Sequence, residues 1–312
     1  PYRHRYDERN ILKQLANMAT ALGHLKDAAH ANALLGTNYM DTEEIGEARP
    51  LLEAALDALE EQDHLPAVRV DVLNRLGVLS ADREEHDLAL RLLQRACAIY
   101  ESSGADTGEG ADGAALGIEQ LHTLTCFYLA QAFGNLGKPA DSAGWCARTL
   151  ERQLLEREAA DVRFDSREWA KNAAQLARYY ANEGQISGAE HCLLAAEAVL
   201  TQARAARATA SAAHGVPASA SEEERDAAAY LDLSFAELWL THLGRLAQRE
   251  EPARPSAAVM APTFCGLALG RSEPICAITS AECDADRAKE LYKLGAARTA
   301  RAKRHFVLDG FA

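Results

Sequence analysis

LAQAFGNLGKPADSAGWCARTL (129–150) and LARYYANEGQISGAEHCLLAAE (176–197) are one pattern written twice. Ala130, Ser142 and Thr149 of the first return as Ala177, Ala189 and Ala196, each displaced by 47 residues. Upstream, LLGTNYMDTEEIGEARPLLEAAL (34–56) and RLGVLSADREEHDLALRLLQRAC (75–97) repeat the device at a displacement of 41, with Gly36, Ala48 and Ala55 becoming Gly77, Ala89 and Ala96. In every unit a small residue is followed by another 12 later and a third 7 after that. This is the tetratricopeptide (TPR) pattern, in which small residues sit where helix A meets helix B and where B meets the next A. Large apolar residues flank them at helical spacing: Leu35 and Tyr39, Leu76, Leu129 and Phe133, Leu176 and Tyr180. Gly137 and Gly184 fall between paired helices, where a turn residue is wanted.

Outward from these units, the register predicts four helix pairs over about 29–62, 70–103, 122–156 and 168–202. A leading helix is expected within 1–28, a flexible Ala/Ser-rich connector over 203–226, and a long helix over 227–249 with Leu231, Phe235, Leu238, Trp239 and Leu246 on one stripe. A proline-rich loop follows at 250–280, then a further solenoid helix within 281–312. ESSGADTGEGADG (101–113) reads as another connector. The fold class is all-α, since no strand alternation of useful length appears.

The chain has 312 residues, 33 Lys+Arg against 46 Asp+Glu, and a net charge of −13. That balance argues against binding a phosphate backbone and favours basic partners. Hydrophobic residues at 48% and charged residues at 25% fit a folded protein rather than a disordered one. Alanine accounts for 64 residues and aromatics for 6%, which suits thin, closely stacked helices. Seven cysteines, an odd number without C-x-x-C spacing, indicate neither a disulfide framework nor a zinc site; Cys97, Cys146 and Cys192 lie on apolar helical faces. The expectation is a reduced, cytoplasmic and cytoskeleton-associated protein with no membrane insertion, the uncharged run Pro255–Gly270 being too short to span a bilayer. The start, Pro1-Tyr2-Arg3-His4, lacks Met and reads as a fragment edge.

Catalytic chemistry is not indicated. Leu269-Gly270-Arg271-Ser272 is not a phosphate-binding loop, and no G-x-S-x-G elbow occurs. The ten histidines, among them His122, His191 and His242, lack metal-ligand spacing. We expect no enzyme, cofactor, metal or small-molecule substrate. Trp145 and Trp169 read as core or inter-repeat residues, and Trp239, on an apolar stripe, reads the same way.

FYLAQAFGNLG (127–137), WCARTLERQL (145–154), EWAKNAAQLARYY (168–180), GAEHCLLAAEAVL (188–200) and AKRHFVLDGF (302–311) occur in this order, after an opening PYRHRYDERNILKQL (1–15). Together with the two earlier repeats they resemble the N-terminal half of the KIF-binding protein (kinesin-binding protein) family. The resemblance covers nearly the whole chain. It implies a right-handed α-solenoid of TPR-like helix pairs that is not an enzyme. Such proteins hold a kinesin motor domain's microtubule-facing helix in a concave groove, so the motor cannot engage tubulin, and so regulate microtubule-based transport. The family clasp uses a second helical half as well, so this chain is expected to be about half of a protein.

A stacked array of helix pairs lines its concave surface with A helices, whose residues not used in packing face the ligand. On that reading the partner-binding positions are Asp71, Asn74 and Arg75 in the second unit, Phe127, Tyr128, Gln131 and Asn135 in the third, and Lys171, Gln175, Arg178 and Asn182 in the fourth. Tyr128 and Gln175 share a register position and match family positions that face the motor helix. The alternative for Tyr128 is simple packing against the neighbouring A helix. A kinesin's microtubule face is basic because tubulin is acidic, so an acidic array can steer it. Glu43-Glu44, Glu84-Glu85 and Glu222-Glu223-Glu224 are candidate contributors, or merely solvated charges. The competing readings are a generic TPR scaffold and a chaperone-tail adaptor, which needs a Lys/Arg/Asn clamp on successive A helices. Here Asn74 is followed four residues on by Val78, and no cation cluster is evident.

Overall fold

A computed structural model describes residues 3–60, 65–103, 114–157, 164–213, 220–248, 264, 267 and 285–307. The described residues form eleven α-helices and no strand. They fall into two compact units, residues 1–145 and 146–312, whose boundary lies inside the seventh helix.

The first unit holds α1 (Arg3–Ala21), α2 (Leu25–Asp41), α3 (Ile45–Glu60), α4 (Pro66–Asp82), α5 (His86–Ser103), α6 (Ala114–Asn135) and the start of α7 (Pro139–Glu156). Here α2 packs on α3 and α4 on α5, while α4 also neighbours α2 and α6. Pairs of helices joined by three-residue turns and stacked on the next pair are the helical-repeat architecture that the spacing predicts.

The turns share one geometry. Gly23, Glu43, Glu84, Gly137 and Gly184 all have positive φ, between 62° and 78°. At each, the next residue's N–H reaches back to a carbonyl of the last turn, as in Glu44 to Tyr39, Glu85 to Ser80, Lys138 to Phe133 and Gln185 to Tyr180. This is the left-handed helix cap that glycine adopts at least cost. Gly137 and Gly184 satisfy it by composition; Glu43 and Glu84 occupy it without that freedom.

Small residues of the repeat lie where the helices touch. Ala48, Ala55, Ala89, Ala96, Ala189 and Ala196 are all fully buried. Ser142 is half-buried and its hydroxyl donates to the Ala130 carbonyl at 2.8 Å. At Gly36 a Cβ would meet Leu52 Cγ at 2.7 Å, and at Gly77 it would meet the equivalent Leu93 at 2.8 Å. The two helices of each pair therefore approach as closely as a missing side chain allows. Leu12, Tyr39, Leu56, Leu73, Leu76 and Leu79 fill the adjoining core.

The second unit holds the rest of α7, with α8 (Ser166–Asn182), α9 (Ile186–Ala213), α10 (Glu222–Ala247) and α11 (Ala285–Val307). α8 pairs with α9 and α10 with α11, and α10 also rests on both α8 and α9. Asp165 caps α8 by accepting from the N–H groups of Arg167 and Glu168, and Ser221 with Glu224 forms a capping box on α10. Trp169 and Trp239 are both 2% exposed. The Trp169 indole donates to the Leu150 carbonyl at 3.0 Å, and Trp239 packs on Phe235. Trp145 is half-buried against the Leu93–Phe133 cluster of the first unit.

Two expected boundaries are corrected. The leading helix lies within 1–28 as α1, but it ends at Ala21 and Leu25 already begins α2, so the first pair starts earlier than 29. The connector 203–226 is helical at both ends: α9 continues to Ala213, and α10 starts at Glu222. Ala203, Ala205, Ala206, Ala208 and Ala210 are strong helix formers, so a composition that resembles a linker propagates the helix instead. Residues 214–219 lie outside the described ones, as do 104–113 of the first connector and all of the proline-rich loop except Phe264 and Leu267.

Among the described residues no helix is long and apolar enough to cross a membrane. Cys97, Cys126 and Cys192 are buried and Cys146 is half-buried, none of them in a disulfide. Burial pushes the thiols of Cys146 and Cys192 up, which keeps them protonated.

Candidate partner-binding surface

The positions singled out on α8 lie on one exposed stripe. Lys171, Gln175, Arg178 and Asn182 are spaced by four, three and four residues and all face outward. The opposite face buries Trp169, Ala170, Ala173, Ala174, Leu176, Ala177 and Tyr180. Strict amphipathicity of this helix thus turns the polar stripe away from the core.

α10 completes a groove beside that stripe. Arg178, Asn182, Tyr230, Leu233, Ser234 and Glu237 line a cavity of about 250 Å³ between the two helices. Arg178 faces Glu237 at 3.7 Å, with both side chains more than half exposed, so their attraction is screened and weak. Arg245 ties α10 to the end of α8 by donating to the carbonyls of Ala181 and Asn182. Tyr230 and Leu233 are large apolar residues with 38% and 43% exposure. They do not stand out in the sequence, where the apolar stripe of Leu231, Phe235 and Leu238 dominates this helix. The signal was present: 230, 233, 237 and 241 recur at the helical spacing of the α8 stripe.

In the first unit the α6 positions divide. Phe127, 40% exposed, stands with the exposed Gln131 and Asn135. Tyr128 is half-buried against Leu93, Leu129, Ala132 and Phe133, with its ring 5.6 Å from that of Phe127. These neighbours lie on α5 and on α6 itself rather than on a neighbouring A helix, and Phe127 is the more exposed of the two rings.

Asn74 of α4 requires correction. It is 3% exposed and spent between helices: its amide donates to the Leu121 carbonyl at 3.0 Å, and its oxygen accepts from Thr125 at 2.9 Å. A buried amide must satisfy its polar atoms, and these partners on α6 do so. Arg75 is paired with Asp71 at 3.0 Å, each about a quarter exposed.

The acidic runs are likewise engaged. Glu44 reaches Arg9 at 2.8 Å and Glu85 reaches Arg49 at 3.1 Å. Glu223 pairs with Arg167, and Glu224 with Arg207. Their solvated-charge reading is the better one, refined to ion pairs at helix ends. No three metal-ligating side chains gather among the described residues.

A family model described as "KIF-1 binding protein C terminal" matches residues 167–262, which contain α9, α10 and all of α8 but its first residue. A Drosophila melanogaster KIF-binding protein is 29% identical over 237 residues, which cover 65% of this chain and 39% of that protein. A Danio rerio KIF-binding protein is 26% identical over 327 residues, covering 88% and 50%. The chain is thus similar in sequence to KIF-binding proteins. A solved structure of kinesin binding protein (KBP) superposes over all of the chain at a TM-score of 0.65, with 22% identity and 54% of that protein covered. That likeness supports the all-helical fold. The chain spans about half the length of the family members it matches.

Proposed function

We propose that this chain binds kinesin motor domains through exposed A-helix stripes and thereby keeps motors from microtubules. The carrying observation is the α8–α10 groove, which lies inside the segment matched by the family model. Exposed Tyr230 and Leu233 offer apolar anchors, while Gln175 and Asn182 offer amides, a combination suited to a helix laid in a groove. Phe127, Gln131 and Asn135 extend the binding surface on the first unit, with Tyr128 supporting Phe127 from behind. Lys171 and Arg178 contribute hydrogen bonds. A net charge of −13 attracts a basic motor face at long range. The setting is the cytoplasm and its microtubules, in the control of cargo transport. Neither catalysis nor nucleic acid enters this reading, and the chain's placement as the family's N-terminal half belongs to the same proposal.

Burial of Asn74 weakens the chaperone-tail alternative, which would need that amide facing the ligand. The test is co-sedimentation of a kinesin motor domain with microtubules in the presence of this chain. Motor shifting to the supernatant as the chain is added supports the proposal. A motor fraction on microtubules that does not change at saturating chain refutes it, and binding only to a chaperone tail peptide would install the alternative.

A further inference from the structure

A second cavity, of about 350 Å³, opens between α9, α10 and α11 and is lined by different residues. Its floor is apolar: Leu200, Ala228 and Leu231 are each below 9% exposure. Its walls carry Glu197, Arg204, Asp232, Arg301 and Arg304.

The charges do not cancel. Arg298, just behind the wall, donates to Glu197 at 2.5 and 2.9 Å and to Asp232 at 2.8 Å. Arg301 takes Asp232 through two bonds at 2.7 and 2.5 Å. The two carboxylates of the cavity are therefore occupied by two guanidiniums. Arg204 and Arg304 are left as exposed cations on opposite walls. Arg204 makes one 3.4 Å contact with the Glu224 carbonyl, whose side chain is already paired with Arg207. Four arginines against two carboxylates leave a local surplus of two positive charges, inside a chain whose net charge is −13. Cations in the last turns of α11 also complement its dipole. Arg204 lies in the interior of α9, where the dipole gives no such reason.

Guanidiniums flanking an apolar floor match carboxylates set on either side of an aliphatic side chain, since each fork can grip a carboxylate through two bonds. The volume lies in the range of small binding pockets. We propose that this cavity is a second docking site, for an acidic peptide segment of a partner protein, with carboxylates on Arg204 and Arg304 and an aliphatic side chain over Leu200 and Leu231. It uses a face of α10 other than that of Tyr230, Leu233 and Glu237, so it stands apart from the motor-binding proposal.

The experiment is a fluorescence-polarisation titration of the whole chain with a labelled octapeptide of repeating Glu-Glu-Leu, alongside the same peptide with Gln for Glu. Wild type should saturate with the acidic peptide, and R204E/R304E should weaken binding at least about tenfold by losing two charge-assisted contacts. The Gln peptide should bind as poorly, whereas the control pair R83E/R91E, on exposed positions of the first unit, should change little. Thermal melts check folding, and R204A/R304A gives the same reading should the reversal variant fail to fold. No saturation by wild type, equal affinity of R204E/R304E, an equal loss in R83E/R91E, or tighter binding of a single-stranded oligonucleotide of equal charge would each overturn the proposal.

Discussion

Two glycines set the closest approach in the first unit. A methyl group at Gly77 would stand 2.8 Å from Cγ and Cδ2 of Leu93, which is 2% exposed and would have to shift. Gly77→Ala gains about 1 kcal/mol of helix propensity but overpacks this contact, so we expect a net loss of about 1–2 kcal/mol in a urea titration. Adding Leu93→Ala should then cost less than the two single losses summed, because each change relieves the other. His242 makes a pH prediction. The residue is 5% exposed, and burial first, then Arg245 one turn on, holds its pKa below the ordinary value near 6.5. Above that value the residue is neutral in both states and contributes no pH dependence. As pH falls below it the unfolded chain takes up a proton that the folded chain resists, so stability drops down to the folded pKa. Denaturation midpoints at pH 7.5 and 5.5 should differ less in His242→Leu than in wild type.

At the level of elements, the turn between α4 and α5 invites improvement. Glu84 holds a φ of 63° at a position where Gly137 and Gly184 serve in later repeats. Left-handed backbone costs a side-chain-bearing residue about 1–2 kcal/mol, part of which glycine returns as unfolded-state entropy. Glu84→Gly should therefore raise stability by about 0.5–1 kcal/mol by thermal melt. The helix pairs were legible because offsets of 12 and 7 residues are a packing constraint that leaves small residues in the sequence. Elements set by propensity alone were less so: the alanines of 203–210 carry no repeat register, and nothing in composition separates a helix extension from a linker. Among the site residues, Lys171, Gln175, Arg178 and Asn182 could be placed because α8 is strongly amphipathic. Asn74 could not, since its burial depends on Leu121 and Thr125 of α6, about 50 residues away. Tyr230 and Leu233 went unread because an exposed apolar residue resembles a core residue until its neighbours are known.

For the molecule as a whole, two helical units carry separate exposed stripes, on α6 in the first and on α8 and α10 in the second. The net charge of −13 is the excess of carboxylates over cations along the whole chain, so its expected effect on a basic partner is long-range steering and not a particular contact. Steering predicts an association rate that falls as salt rises, while the groove residues set how slowly the complex separates. The central claim is that these stripes hold a kinesin motor domain. Calorimetric titration of a motor domain into this chain, and into a variant carrying Gln175→Ala, Arg178→Ala, Tyr230→Ala and Leu233→Ala, tests it most directly. The account predicts saturable binding by wild type and at least about a tenfold loss in the variant, with its helical circular-dichroism spectrum retained. Absent binding, or equal affinity in a folded variant, would contradict it.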